Sequence, residues 1–256
     1  MIPLPLLEII PYIILFIYGT IVGSFLNVCI YRIPEGQSIV KSPSHCMTCG
    51  NRLKWYDMVP VFSWLILGGK CRNCKAPISP QYPLIEAANG LLYLWIVGVN
   101  GWNAQSLVYT LMASALLTLS IIDWRTYEIP VQINLFLAAL GILATILDVP
   151  HLVSHLIGAA AISVPLWLLY LLTKGAAIGG GDIKLMAACG LILGWQNIVL
   201  AFLLACILGS FIHLLRMKLT GAGKTLAMGP YLSAGIFVTA LYGQTWIHQY
   251  LALLGL

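Results

Sequence analysis

Apolar runs alternate with short polar joints along almost the whole chain. A membrane helix needs about 20 mainly apolar residues to cross about 30 Å of hydrocarbon. The sequence supplies about eight such candidates: residues 9–31, 84–99, 105–122, 131–147, 152–173, 183–194, 197–217 and 228–253. The sixth is short for a span at about 1.5 Å per residue, so it is expected to begin deeper or to tilt among its neighbours. The first run has no Lys or Arg ahead of it and no small-residue cleavage box behind it, so it reads as a retained span and not as a secretory signal. One sizeable polar insertion, 32–83, interrupts the series, and it turns apolar again over 59–67. The pattern predicts an all-α polytopic membrane protein: a first transmembrane span within 1–31, an insertion over 32–83, and a helical membrane core over 84–256.

Composition agrees with that reading. Of 256 residues, 60% are hydrophobic and only 8% charged, against about 25% charged in soluble domains. A soluble globular protein is excluded. The 13 Lys and Arg are too few and too dispersed for a nucleic-acid face, but their placement is informative because cations collect in cytoplasmic loops. With the N-terminus outside, the inner segments are 32–83, 123–130, 174–184 and 218–227. The first holds seven cations, the others Arg125, Lys174, Lys184, Lys218 and Lys224, and Arg216 lies at the inner end of the seventh run, so all 13 fall on one side. The insertion is therefore expected in the cytosol, with a multi-pass chain in the membrane lipid.

Four of the seven cysteines lie in that insertion as Cys46-Met-Thr-Cys49 and Cys71-Arg-Asn-Cys74, with 21 residues between the pairs. Each pair can pinch a metal through a tight turn, for which Gly50 is suited, and two such turns complete a tetrahedral thiolate shell for zinc. In a reducing cytosol structural disulfides are disfavoured; unmetallated thiols or a redox pair are the alternatives. Cys29, Cys189 and Cys206 fall within spans and read as packing residues. The five histidines show no ligand spacing and read as interfacial or packing groups.

Ionisable residues near a membrane core are costly and default to functional candidates. Asp123 ends the third run in Ser120-Ile-Ile-Asp123-Trp-Arg-Thr-Tyr-Glu-Ile-Pro130, and Asp182 opens the sixth in Gly179-Gly-Gly-Asp182-Ile-Lys184. Either alone reads as an interfacial residue, solvated or paired with Arg125 or Lys184. Together they are expected at the cytoplasmic boundary, where two close carboxylates share a proton and suit hydrolysis of a peptide bond. The glycine run beside Asp182 is expected to permit positive φ and the close approach of an extended substrate.

The chain closely resembles the bacterial type IV prepilin peptidases of the GxGD aspartic protease class. The resemblance is carried by Gly23-Ser-Phe-Leu-Asn-Val-Cys-Ile-Tyr-Arg-Ile-Pro34, the two cysteine pairs, Tyr82-Pro-Leu-Ile-Glu86, the Asp123 segment and Gly179-x-Gly-Asp182-x-Lys184. It implies cleavage of the short basic leader of prepilins or pseudopilins with Asp123 and Asp182 as catalytic pair and Gly179, Gly181 and Lys184 in the substrate-approach loop. It also implies methylation of the new N-terminus from S-adenosylmethionine, in the inner membrane of a bacterium. No Gly-x-Gly-x-x-Gly follows a strand, so the methyl donor has no Rossmann signature; Glu86, Asn27 and Arg32 are the polar candidates for that activity, Glu86 chiefly through the family motif. The family commonly has an acidic residue or Asn after the Pro of the first catalytic segment, where this chain has Val131. Two other readings stay open: a leader peptidase of this class without methyl transfer, and an ion-coupled transporter relaying cations through the two aspartates.

Overall fold

A computed structural model describes residues 4–41, 43–220 and 226–255; Lys224, one of the inner-loop cations, lies outside them. Among the described residues every regular element is helical, and two compact units emerge, Met1–Gly101 and Trp102–Leu256.

In the first unit α1 (Leu4–Arg32) packs along α3 (Gln81–Asn100). Lipid tails are as apolar as Leu, so helices in a bilayer associate by close packing and polar ties. Both occur here. A Cβ at Gly23 would lie 2.7 Å from Glu86 Cα, and one at Gly19 2.8 Å from Gly90 Cα, so the backbones meet where side chains are missing. Asn89 Nδ2 then donates to Gly19 O at 2.7 Å. Between the helices runs the insertion, in which, among the described residues between α1 and α3, the one α-helix is the five-residue α2 (Phe62–Ile66).

The second unit comprises α4 (Ala104–Thr126), α5 (Val131–Leu147), α6 (Leu152–Ala161), α7 (Ser163–Leu172), α8 (Gly180–Leu193), α9 (Trp195–Thr220) and α10 (Gly229–Leu253). Asn103 caps α4 by accepting from Ser106 N–H at 2.8 Å, which satisfies one of the donors a helix start leaves open. Helix α8 carries Leu185, Met186 and Cys189 into the core, fully buried. It is walled by α5 and α6; a Cβ at Gly141 would lie 2.7 Å from Leu191 Cβ, and Gly158 of α6 meets Gly190 of α8 backbone to backbone. Apolar side chains such as Leu143, Ile146, Leu203 and Ile207 face outward.

Each of the eight apolar runs is helical. Five stretches are long and apolar enough to cross a membrane: Glu8–Arg32, Gln81–Asn100, Ala104–Thr126, Val149–Leu172 and Trp195–Leu219. The fourth is α6 and α7 in succession, broken at Ile162, with Pro165 in the first turn of α7. The remaining three runs fall short of that standard for different reasons. Helix α5 has 17 residues and α8 only 14, while α10 has 25 but carries Gln244, Thr245, His248 and Gln249 near its end.

Candidate active site

In the second unit the chain brings two helix ends to one place. Asp123 sits in the last turn of α4, 4% exposed. The helix stops three residues later because Tyr127 turns left-handed (φ 57°), its N–H donating to the Asp123 carbonyl at 2.9 Å. After Ile129, Pro130 N-caps α5 without a side-chain bond, so Val131 begins that helix with no cap of the kind the family's usual residue would add. Asp182 lies in the first turn of α8, and its carboxylate accepts from Gly179 N–H. The two carboxylates, 59 positions apart in sequence, lie within electrostatic reach of each other. Among the described residues Lys184 makes no ion pair with either.

The glycines do a different job from the one their flexibility suggested. None of Gly179, Gly180 and Gly181 has positive φ. What matters is the missing Cβ: one at Gly181 would lie 2.8 Å from Ile129 Cβ, and one at Gly179 3.2 Å from Asp182 Oδ2. The Gly181 carbonyl is also held by Asn134 Nδ2 at 3.2 Å. Only Gly180 has open space where a side chain would be. The run thus lets the α4–α5 connection and the Asp182 carboxylate close onto the start of α8.

Sequence reasoning missed Gly229. As the first residue of α10 its N–H is free of helical bonding, and it donates to Asp123 Oδ2 at 2.8 Å. A Cβ there would sit 2.7 Å from that oxygen. The separation of 106 residues hides the contact; the local signal is Gly229-Pro230 at a helix start, where Pro is favoured early in the first turn. Arg216 of α9 stacks over Trp124 at 4.7 Å, which puts the cationic end of α9 at the same end of the unit as Asp123.

The four cysteines of the insertion meet in the first unit, all sulphurs within 4.8 Å of one another. Each pair is the turn of a small hairpin. Cys46 N–H donates to Asn51 O and Gly50 N–H to Cys46 O; Cys71 N–H donates to Ala76 O and Lys75 N–H to Cys71 O. Gly50 (φ 68°) and Lys75 (φ 59°) close the two turns in the left-handed region, a conformation cheap for the first and costly for the second. Backbone N–H groups of Cys49 and Thr48 hold Cys46 down to about 6, ready as a thiolate. Ala76 N–H favours the thiolate of Cys74 as well, but desolvation and the neighbouring sulphurs push it up to about 11. Thiols this close compete for ionisation, and a bound divalent cation relieves the competition. A tetrahedral ion with bonds of about 2.3 Å needs sulphurs about 3.8 Å apart, and Cys46 and Cys74 are at 3.8 Å. The cluster can hold a metal ion.

Glu86, Asn27 and Arg32 also lie in the first unit, each gripping main chain. Glu86, buried in α3, accepts from Val61 N–H at 2.7 Å and from Ser24. Asn27, 1% exposed, donates to Tyr82 O at 3.2 Å and leaves Oδ1 buried without a partner. Arg32 at the end of α1 donates to Ser38 O and Pro43 O. Of the other cysteines, Cys29 and Cys189 are buried and Cys206 partly so. Among the histidines, His151 and His155 both reach Asp148, at 2.8 and 3.2 Å, and His155 also faces Leu191 O.

Comparison with known proteins follows this division. Residues 17–99 match the Bacterial Peptidase A24 N-terminal domain, and residues 110–214 match the Type IV leader peptidase family. Proteins named prepilin leader peptidase/N-methyltransferase from Pseudomonas putida and Aeromonas hydrophila are each 32% identical, with 93% of either chain covered. One of the same name from Pectobacterium carotovorum is 35% identical over 86% of this chain and 88% of its own. No solved structure matches. The chain belongs to the type IV leader peptidase family, in the group whose members also carry the N-methyltransferase name.

Proposed function

We propose that this protein removes the basic leader of type IV prepilins or pseudopilins with Asp123 and Asp182 and then methylates the new N-terminal residue. The observation that supports the reading is a pair of carboxylates at helix ends of one unit, Asp123 accepting from Gly229 N–H and Asp182 from Gly179 N–H. Two close carboxylates share one proton. The ionised partner takes a proton from water as that water attacks the scissile carbonyl. The protonated partner polarises the carbonyl and later gives its proton to the leaving amine. Glycines 179 and 181 let main chain and carboxylate close around the start of α8, and Lys184, two residues beyond Asp182, lies where a substrate segment would approach.

The orientation that fits this substrate has about eight spans, the N-terminus outside and the aspartates at the cytoplasmic face of a bacterial inner membrane. The one-sided distribution of Lys and Arg supports it. A prepilin's leader is cytosolic and its mature end begins a membrane helix, so the scissile bond reaches the inner boundary. An ion-coupled transporter draws no support from carboxylates held at helix ends beside that boundary.

Zinc is the metal that four thiolates select; it fills its shell with sulphur, shaping the insertion without activating water. For methyl transfer, the orphaned Asn27 Oδ1 and the Glu86 carboxylate are buried acceptors that fit a cationic partner. S-adenosylmethionine, when bound, supplies an electrophilic methyl group. Glu86 would orient the new amino terminus and accept the proton it loses, Asn27 would receive a cationic group, and Arg32 would hold the adjoining loop. The 32–83 insertion is the methyltransferase part of this reading. Incubating the purified protein with a prepilin and S-adenosylmethionine, then reading the pilin by mass spectrometry, tests both activities. Loss of the leader with an added methyl group is expected; an intact prepilin would reject the assignment.

A further inference from the structure

The insertion carries an apolar face that neither its own fold nor the proposed chemistry uses. Trp64 turns inward, donating from Nε1 to Ile78 O at 3.0 Å. Its neighbours turn the other way: Phe62, Leu65 and Ile66 are exposed, the last 81%, and so are Met58 and Trp55, the latter 77%. The sequence flanking this face carries Arg52, Lys54, Lys70, Arg72 and Lys75, and Lys54 and Arg72 both reach over the Tyr56 ring, at 5.6 and 5.0 Å. The one acid among residues 52–75, Asp57, is already paired with Arg72 at 2.7 Å.

The height of this face is fixed. Val61 adopts φ 62°, ψ −54°, and Phe62 N–H closes onto Pro60 O at 2.6 Å, which makes a three-residue γ-turn of the rare, strained kind. A β-branched residue at positive φ persists only where its surroundings over-determine it. Here the determinant is Glu86 Oε2, which takes the Val61 N–H at 2.7 Å. Glu86 is the sixth residue of α3, so α2 starts level with a point about 7.5 Å inside that membrane helix. An amphipathic segment at the bilayer boundary buries its apolar face about 5–10 Å deep.

We propose that residues 55–66 form an interfacial foot whose apolar face lies in an anionic lipid leaflet, with Glu86 fixing its depth. Trp55 has the amphipathic ring that settles at headgroup level, and the surrounding ammonium and guanidinium groups complement anionic headgroups. The occupant of the face is lipid because an excess of cations repels the basic leader of a prepilin while it attracts that leaflet. The placement on the cytoplasmic side rests on the proposed orientation; the lipid contact itself does not.

The test is amide hydrogen exchange of the full chain in nanodiscs of phosphatidylcholine with and without phosphatidylglycerol. Exchange across residues 62–67 is expected to be about tenfold slower with the anionic lipid. The charge variant Lys54→Glu/Lys70→Glu changes only exposed side chains, so it tests the idea without disturbing the core; it should erase the difference. Phe62→Ser/Leu65→Ser/Ile66→Ser should remove protection in both lipids. Equal exchange in the two nanodiscs, or protection that persists in the charge variant, overturns the proposal. Protection that appears only when a prepilin is added assigns the face to substrate and overturns it as well. Protease accessibility of the insertion in oriented vesicles reads the side of the membrane separately, so a wrong orientation and a wrong occupant give different results.

Discussion

The two units fix their important groups in opposite ways. In the insertion, side chains grip main chain: Glu86 takes Val61 N–H, Trp64 and Arg32 give to carbonyls, and Asn27 holds Tyr82. Around the aspartates, main chain grips side chains: Gly229 N–H donates to Asp123 and Gly179 N–H to Asp182. A donor that belongs to the backbone survives ordinary substitution, so the carboxylates are held by something mutation rarely removes. It is lost chiefly by adding atoms that push it away. The insertion is the reverse, since removing one side-chain atom releases a strand of loop.

The strongest way to break the second arrangement is to change what is gripped. Asp123→Asn and Asp182→Asn should each lower leader cleavage by about 10³-fold or more, either loss resembling the loss of both. Methylation of a pre-cleaved pilin should continue. A variant that cleaves at near-parental rate would end the dyad assignment.

Adding an atom is the next test. Gly229→Ala places a Cβ 2.7 Å from Asp123 Oδ2, and a displacement of about 1 Å at a reacting group costs about 10²-fold. Steady-state cleavage should show the fall in kcat with KM little changed. Unaltered turnover would mean that the α10 start does not position Asp123.

In the insertion, Cys71→Ser removes a ligand and should abolish stoichiometric zinc while leaving both aspartates in place. Limited proteolysis should then cut the insertion about tenfold faster, as expected where a structural metal site contributes to folding. Full zinc content in that variant would remove Cys71 from the shell. Glu86→Gln is subtler, because Gln still offers an oxygen to Val61 N–H and only the charge goes. Methyl transfer should drop by about tenfold while cleavage stays largely intact; an equal fall in both would assign Glu86 to structure alone.

The smallest effect belongs to Asp148. The hydrogen bond from His151, and then that from His155, hold its carboxyl below the usual value. A carboxyl lowered on folding adds stability above its unfolded value near 3.9, and the gain is lost as pH falls through the lower folded value. Since Asp148 is 43% exposed, Asp148→Asn should cost less than about 1 kcal/mol at pH 7, read by thermal unfolding at pH 7 and again at pH 3, where the two proteins should converge.

What the sequence reveals and conceals follows the same division. The apolar runs are legible because lipid leaves a chain no choice: unsatisfied main chain is too costly, so each such run becomes a helix, and all eight did. The cysteine spacing is legible because two Cys-x-x-Cys turns are the pattern that a tetrahedral metal site requires. Asp123 and Asp182 stand out as charges in apolar surroundings. Gly229 does not, because its role is an N–H that every residue but Pro possesses, directed across 106 positions. The glycine run misled in one respect: positive φ was expected at positions 179–181 beside close approach, and none of the three adopts it. Positive φ falls instead on Val61, Lys75, Tyr127 and Lys174, bulky or long side chains that no turn rule selects. Glu86 was marked as a polar candidate, but its tie to Val61 spans 25 positions and joins a turn before α2 to the start of α3.

Gly158 and Gly190 bring α6 and α8 together with no side chain between them. The distance between these two helices is therefore written in peptide atoms, which are the same in every protein. Drift in the lipid-facing residues of either helix leaves that gauge untouched, and the mount of Asp182 with it. A rail set by its own backbone leaves the lipid-facing coat of α6 and α8 open to change while the start of α8 keeps its place.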